Sequence, residues 1–300
     1  MNDPFPVSVI VRTYNRRERL RECLQCLRRQ TYRALEIVVV NDAGVDVTDV
    51  IHDELEGISF QSIRNRENLG RTAGLNIGVE AATSEYVCFV DDDDGVYPDH
   101  VATLAAAAGA ERLPVVYSDV INVTFVKDEA TGNWQRVKEQ LIYSFDFEKD
   151  NFLLANYIPI TCLLIRKNCF REVGPFDESL LIYEDWEFLI RLSRKFPFRH
   201  VRKITGEYRR RDDNSNILEQ SAYPFNERVV KRRYGDDRNA AFDPIFKRTF
   251  QQQREIRELS ARFDQVLRQA NQLQAQLAEA HKSINRLQQE NMQLRSERTR

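Results

Sequence analysis

The chain has 300 residues, 42% of them hydrophobic and 30% charged, with a formal net charge of −2. This is enough apolar material for one large core or two smaller ones, in a soluble protein. No apolar run approaches the roughly 18 residues of a membrane-spanning helix, the opening MNDPFPVSVIVRTYN lacks the basic-then-apolar layout of a signal peptide, and five irregularly spaced cysteines do not make a disulfide framework.

Charge is unevenly distributed. From Lys247 onward there are 11 basic and 6 acidic residues, or +5, against 33 and 40, or −7, before it. An acidic body argues against a nucleic-acid binder. The expected compartment is a reducing cytoplasm, with peripheral attachment at the inner face of the membrane as a variant of it.

The first half alternates strands and helices. Val7–Val11 is a short apolar strand, and residues 16–30 place Leu20, Cys23, Leu24 and Leu27 at helical spacing. The Cys23-x-x-Cys26 pair falls inside that pattern and reads as helix-face packing rather than a zinc or redox motif. Leu35–Val40 is a second buried strand, residues 46–56 a helix, and Ile58–Ile63 a third strand. Gly70–Ala82 is a helix, Tyr86–Val90 a strand apolar on both faces, Pro98 opens a helix through Ala108, and Val115–Tyr117 is a further strand. Repeated β-α units predict an α/β fold, a Rossmann-like and mostly parallel sheet with helices on both faces. Ligands of such sheets bind at the carboxyl ends of strands, where Arg12–Asn15, Asn41–Gly44 and Asp91–Asp94 fall.

Later segments differ. Ile121–Val126 and Trp134–Tyr143 read as a hairpin, Ile160–Ile165 as a strand, Lys167–Val173 as a helix, Tyr183–Phe196 as an amphipathic helix and Ile204–Arg209 as a last strand. Three regions follow: residues 1–118, 119–245 and 246–300. In the third, Ile256, Leu259, Phe263, Val266, Ala270, Leu273, Leu277, Ala280, Ile284, Leu287, Asn291 and Leu294 alternate steps of 3 and 4, the register of an α-helical coiled coil. A helix over 256–297 would span roughly 63 Å. Self-association through it is expected. Asn291 at an a position favours a parallel dimer, with a trimer as the alternative. The register still runs at Arg300, which leaves open whether the chain continues beyond it.

Four consecutive aspartates after a buried strand repel one another unless something positive binds them. Their oxygens suit a hard divalent cation, Mn2+ or Mg2+, that keeps waters and substrate phosphates in its shell. The alternative on these residues alone is a solvated acidic turn.

The order of the motifs carries a resemblance. Pro6-Val-Ser-Val-Ile-Val-Arg-Thr-Tyr-Asn-Arg16, Gln30-Thr-Tyr32, Glu36-Ile-Val-Val-Val-Asn-Asp42, Asn68-Leu-Gly70, Leu75-Asn-Ile-Gly78, Val90-Asp-Asp-Asp-Asp94, Gly174-Pro-Phe-Asp-Glu178 and Tyr183-Glu-Asp185 resemble, in sequence, the inverting family-2 glycosyltransferases of the GT-A fold. The resemblance covers roughly residues 5–215 and not the coiled coil. It implies a metal-dependent, inverting transfer of a sugar from a nucleotide-diphospho-sugar, UDP-type favoured, to a hydroxyl on a glycan or lipid-linked acceptor, typically in bacterial surface polysaccharide synthesis. It places Thr13, Tyr14, Asn15, Asn68 and Asn76 in the nucleotide-sugar pocket, with Tyr14 stacking on the base and Asp42 accepting a pyrimidine N–H. Asp91 and Asp93 match the family's D-x-D pair. Asp93 is the direct metal ligand, with Asp91 as its partner in that pair, and Asp91 or Asp92 lies nearer the ribose and sugar. Asp185 matches the catalytic base, where first-turn helix stabilisation is the competing reading.

Three departures bear on these roles. Arg12 stands where relatives often carry proline, Asn41-Asp42-Ala43-Gly44 replaces Asp-Asp-Gly-Ser, and Arg211 stands near the place of a metal-binding histidine. Arginine cannot ligate a cation but can grip a phosphate bidentately. Trp186 is read either as a sugar platform or as core, and His52, His100 and His200 as surface or satisfied residues. A non-catalytic coiled-coil adaptor carrying a degenerate GT-A domain is the competing function, opposed by the retained Asp42, Asp91, Asp93 and Asp185. A nucleotidyltransferase would carry a glycine-rich loop after the first strand, which Val11–Asn15 lacks.

Overall fold

In a computed structural model, residues 4–109, 111–128, 131–180, 182–211, 230 and 233–235 are described. Contacts divide the chain into residues 1–241 and 242–300. The expected coiled coil at 256–297 lies outside the described residues.

The elements run β1 (Val7–Thr13), α1 (Arg17–Arg28), β2 (Leu35–Asn41), α2 (Thr48–Glu54), β3 (Ser59–Arg64), α3 (Arg71–Ala81), β4 (Tyr86–Phe89), β5 (Gly95–Val96), α4 (His100–Ala108), β6 (Val115–Lys127), β7 (Trp134–Tyr143), α5 (Lys149–Leu154), a 3-10 turn (Ile160–Cys162), β8 (Leu163–Arg166), α6 (Cys169–Val173), α7 (Glu184–Ser193) and β9 (Phe198–Arg211). One sheet has the order β3-β2-β1-β4-β8-β6-β9-β5, and β7 pairs with β6. The β3-β2-β1-β4 block is parallel, as the β-α repeats predict. β8 lies antiparallel to both β4 and β6, and the β6–β7 hairpin is antiparallel, so the whole sheet is mixed. Of these antiparallel neighbours only β6 and β7 are joined by a short turn, as a hairpin allows.

Period-two alternation sorts the core. Val7, Val9 and Val11 of β1 pack in one cluster with Leu20, Leu24 and Leu27 of α1, Val50 and Ile51 of α2, and Leu104 of α4. Cys23 and Cys26 are buried in this cluster as unpaired thiols, the packing role their spacing predicts. The intervening Ile10 faces the other way, against α3 at Gly78. Beyond it Phe89, Phe170, Phe176 and Phe188 form an aromatic layer with centroids 4.4–6.4 Å apart. Trp186 is buried and its indole N–H donates to the Phe152 carbonyl at 2.8 Å, which settles it as core. His100 is buried with Nδ1 2.7 Å from Thr205 Oγ1, and His200 bridges Asp119 and Asp146.

Two elements escaped the sequence reading. β5 has two residues and α5 six, too short for periodicity to register. The expected strand at 160–165 begins instead as the 3-10 turn.

Gly78 is fixed by packing. A Cβ there would meet Ile10 Cγ2 at 2.3 Å, on a stiff β-branched side chain in the core. Gly78→Ala is therefore expected to destabilise the domain by about 1–3 kcal/mol, read as a lower urea midpoint with an unchanged slope.

Candidate functional site

The carboxyl ends of β1, β2 and β4 open on one edge of the sheet. With the starts of α3 and α7, the 3-10 turn and the end of β9, they enclose a cleft of about 660 Å³. It brings together Thr13, Tyr14, Asp42, Asn68, Asp91–Asp94, Asp185 and Arg211. Asn15 and Asn76 do not line it. Asn15 has φ 55° and accepts the Val45 N–H, shaping the turn after β2. Asn76 bonds the Phe176 backbone in both directions and Glu178, so it anchors the 174–178 turn to α3.

The four aspartates have different sets of partners, with Arg16 shared by Asp92 and Asp93. Asp91 accepts from Arg12 Nε at 2.9 Å and Nη2 at 3.3 Å, with Arg71 at 3.8 Å. Asp92 accepts from Thr13 Oγ1 at 2.7 Å and Arg16 at 3.1 Å. Asp93 faces Arg16 at 2.8 Å and Arg19 at 3.6 Å. Asp94 accepts from Thr161 Oγ1 at 2.6 Å and the Arg209 N–H at 3.1 Å. Arginines, then, supply the positive charge that the acidic run requires.

Different partners separate the acidities. Burial opposes ionisation of Asp91, yet Arg12 and Arg71 outweigh it and hold the group below its ordinary value. Burial and the neighbouring Asp93 push Asp92 up to about 6. Asp94 is raised by burial, then by Asp93 and Asp91.

Asp185 opens α7 on the opposite wall. Its Oδ1 accepts the Trp186 N–H at 2.7 Å and Oδ2 accepts from Asn156 Nδ2 at 3.2 Å. Burial, then the adjacent Glu184, raise it to about 7. Tyr183 before it has φ 64°, a left-handed conformation that costs about 1 kcal/mol in a non-glycine residue. On the other side Asp42 accepts from Asn65 Nδ2 and the Leu69 N–H through Oδ1, and from the Gly70 N–H through Oδ2. It orders the 65–70 loop, and a base N–H would have to share these oxygens. Tyr14 is 47% exposed and open to stacking.

Among the described residues no group of three His, Cys, Asp or Glu is placed to hold a metal. Asp93, whose side chain is 25% exposed, opens into the cleft and can give one oxygen ligand. The rest of an octahedral shell would then come from water and a bound diphosphate, a common arrangement for Mg2+. Asp91 is less available, because Arg12 engages both of its oxygens. Arg211 is not an open phosphate grip. It is buried, donates to Glu22 at 2.6 Å and to the Asp93 carbonyl at 3.5 Å, and lies over the Phe125 and Trp134 rings.

Sequence reading put Arg12 at a ligand-binding strand end without giving it a role, and missed Arg16, Arg19, Arg71, Glu184 and Asn156 as parts of the site. The arginine-rich run Arg12–Arg19 was the available signal for Arg16 and Arg19. Nothing in the sequence pairs Arg12 with acids 79 and 172 positions away.

An α/β sheet with acids, arginines and a perturbed carboxyl at its strand ends has the layout of a ligand-binding transferase domain. Residues 8–174 match glycosyl transferase family 2, and the chain belongs to that family. An uncharacterized glycosyltransferase of Bacillus subtilis, YwdF, is 32% identical over 198 residues, which are 65% of this chain and 70% of the relative. The amylovoran biosynthesis glycosyltransferase AmsB of Erwinia amylovora is 24% identical over 62% and 64%. The structure of S. aureus TarS in complex with UDP-GlcNAc superposes with a TM-score of 0.59 at 20% identity, over 75% of this chain and 65% of TarS 1–349. The mannosyltransferase PcManGT of Pyrobaculum calidifontis, in complex with GDP-Man and Mn2+, gives 0.53 at 17% over 80% and 68%. The chain thus spans about two thirds of these proteins. At such identities the structural likeness is one of fold, GT-A-like.

Arg211 stacks on the Phe125 and Trp134 rings and reaches the Asp93 carbonyl, which braces that loop. Arg211→Ala is expected to weaken nucleotide-sugar binding at least several-fold by calorimetry, while Arg211→Lys, without the planar stack, recovers only part of it. Unchanged affinity in Arg211→Ala would remove the residue from the site.

Proposed function

We propose that this chain transfers a sugar from a nucleotide-diphospho-sugar, UDP-type, to a hydroxyl of a glycan or lipid-linked acceptor with inversion at the anomeric carbon. The observation that carries the reading is Asp185, raised to about 7 and lining the same cleft as Asp91–Asp93. A carboxylate tuned near the working pH is suited to general-base catalysis.

In this reading Tyr14 stacks on the base and Asp42 holds the loop beside it. Asp92 and the ordered Asn65–Gly70 loop flank the ribose. Asp185 takes the acceptor's hydroxyl proton as that oxygen forms its bond to the anomeric carbon and the bond to the diphosphate oxygen breaks. The Trp186 N–H and Asn156 hold the two Asp185 oxygens in place during that transfer. Arg16 and Arg19 lie beside Asp93, where the diphosphate would rest. Asp93 would hold the divalent cation, Mn2+ or Mg2+, which when bound supplies charge neutralisation to the leaving group. The parts 1–118 and 119–245 serve donor and acceptor, and residues 256–297 join copies of the chain. Among the described residues no helix is long and apolar enough to cross a membrane. The working place assigned is the cytoplasmic side, against lipid-linked acceptors.

Two tests follow. A thermal-shift screen should raise the melting temperature with UDP-GlcNAc, and further with Mn2+. Asp93→Asn should abolish the Mn2+ increment and leave part of the nucleotide effect. No shift with any nucleotide sugar would favour the adaptor reading.

Asp185→Asn should lose at least about a hundredfold in turnover while still binding donor. It should also be more stable than the native chain at pH 8. A folded-state value near 7, above the ordinary 3.8, means the native Asp185 binds its proton more tightly when folded, so stability falls as pH rises from about 4 to 7. The asparagine removes that penalty, on the order of 2–4 kcal/mol, at pH 8 and gains little at pH 4. Melting curves of both proteins at the two pH values check the sign.

A further inference from the structure

Arg12 stands between the two acid groups of the cleft. Its Nε and Nη2 donate to Asp91, and its Nη1 donates to Glu184 Oε1 and to the Arg71 carbonyl, both at 3.0 Å. The side chain is 9% exposed and that of Glu184 3%, so water screens the pair little. Arg71 closes the circuit, with Nε 3.2 Å from Glu184 Oε1 and Nη2 3.8 Å from Asp91. A guanidinium filled on three sides is a rigid bracket. It joins the ends of β1 and β4 to the first turns of α3 and α7, and the residue after Glu184 is Asp185.

We propose that Arg12 is a positioning residue for the transfer: by pinning Glu184 to the strand ends, it fixes the first turn of α7 and sets the reach and basicity of Asp185. The inference rests on the reading of Asp185 as the base.

The charges around Asp185 make the direction of the effect definite. Glu184, beside it on α7, opposes its ionisation, while Arg71 from α3 and Arg12 from β1 favour it. Cys162 on the 3-10 turn is neutral, because burial raises its thiol well above the ordinary value. Asn156 carries no charge. Burial is the largest influence on Asp185, and the bracket adjusts it. Removing the arginine's charge leaves Glu184 facing Arg71 alone and makes Asp185 harder to ionise. Removing the Glu184 charge does the reverse. Loss of packing alone has no reason to move Asp185 in opposite directions in the two variants.

The test titrates the full chain labelled with 13C at the aspartate carboxyls, with the Asp185 signal identified as the one lost in Asp185→Asn. The native midpoint is expected near 7. Arg12→Met should raise it and Glu184→Gln should lower it, each by on the order of one pH unit. Arg12→Lys, which keeps the charge and loses the fork, should stay within a few tenths of the native value. Midpoints that stay put, or move the same way in Arg12→Met and Glu184→Gln, overturn the proposal. If Arg12→Met does not fold, an unmoved midpoint in Glu184→Gln is enough to overturn it. An Asp185→Asn protein that still turns over donor sinks the base assignment instead, whatever the midpoints do.

Discussion

Everything at the sheet edge depends on the buried contact of Arg12 with Asp91 and Glu184. Taking charges out of water is expensive, and such a network holds only when each member keeps its partners. Here each does. Asp91 is met by Arg12 and Arg71, and Glu184 by the same two. Breaking one member leaves an uncompensated buried charge, typically a loss of 3–5 kcal/mol. The network therefore locks together strand ends and helix starts that are far apart in sequence.

The same logic divides the acidic run. Four adjacent carboxylates cannot share one environment and remain charged. The turn after β4 gives them different sets of partners, and the acidities separate accordingly. Asp91 is held below the ordinary value by arginine, Asp92 rises to about 6 and Asp94 is raised as well. Asp185, across the cleft, reaches about 7 through burial. Acids pushed apart by their surroundings are how one pocket can hold a cationic partner and a base at once.

Sequence made the strand ends legible, because β1, β2 and β4 are short apolar runs that stop abruptly at polar residues. It also brought Thr13, Asp42 and Asp91–Asp94 toward one edge, since parallel strands put their carboxyl ends together, while Asp185, at a helix start, was placed with them only by the family resemblance. What it could not show is which motif residues face the cleft. Asn15 and Asn76 sit inside motifs yet serve turns, because a small amide can satisfy backbone groups as readily as a ligand. Trp186 was ambiguous for a related reason: an apolar stripe on α7 has the same spacing whether or not one member faces a sugar. The arginine partnerships were hidden because charge pairing across a fold leaves no periodic trace.

The base itself shows why the site is costly to the fold. A carboxyl at the start of a helix, left in water, would ionise easily and be too weak a base to hold a proton at neutral pH. Burial corrects this, but it also makes the charged form of Asp185 a destabilising feature of the native state. Phe188 of α7 packs into an aromatic layer with Phe170 and Phe176. Its dense packing supplies the stability that lets the first turn keep a left-handed Tyr183, a buried Glu184 and a perturbed Asp185 in succession. Strain and perturbed charge thus gather in three successive residues at one end of α7, while, one turn on, the buried Glu187 is met by Arg191 and Tyr234.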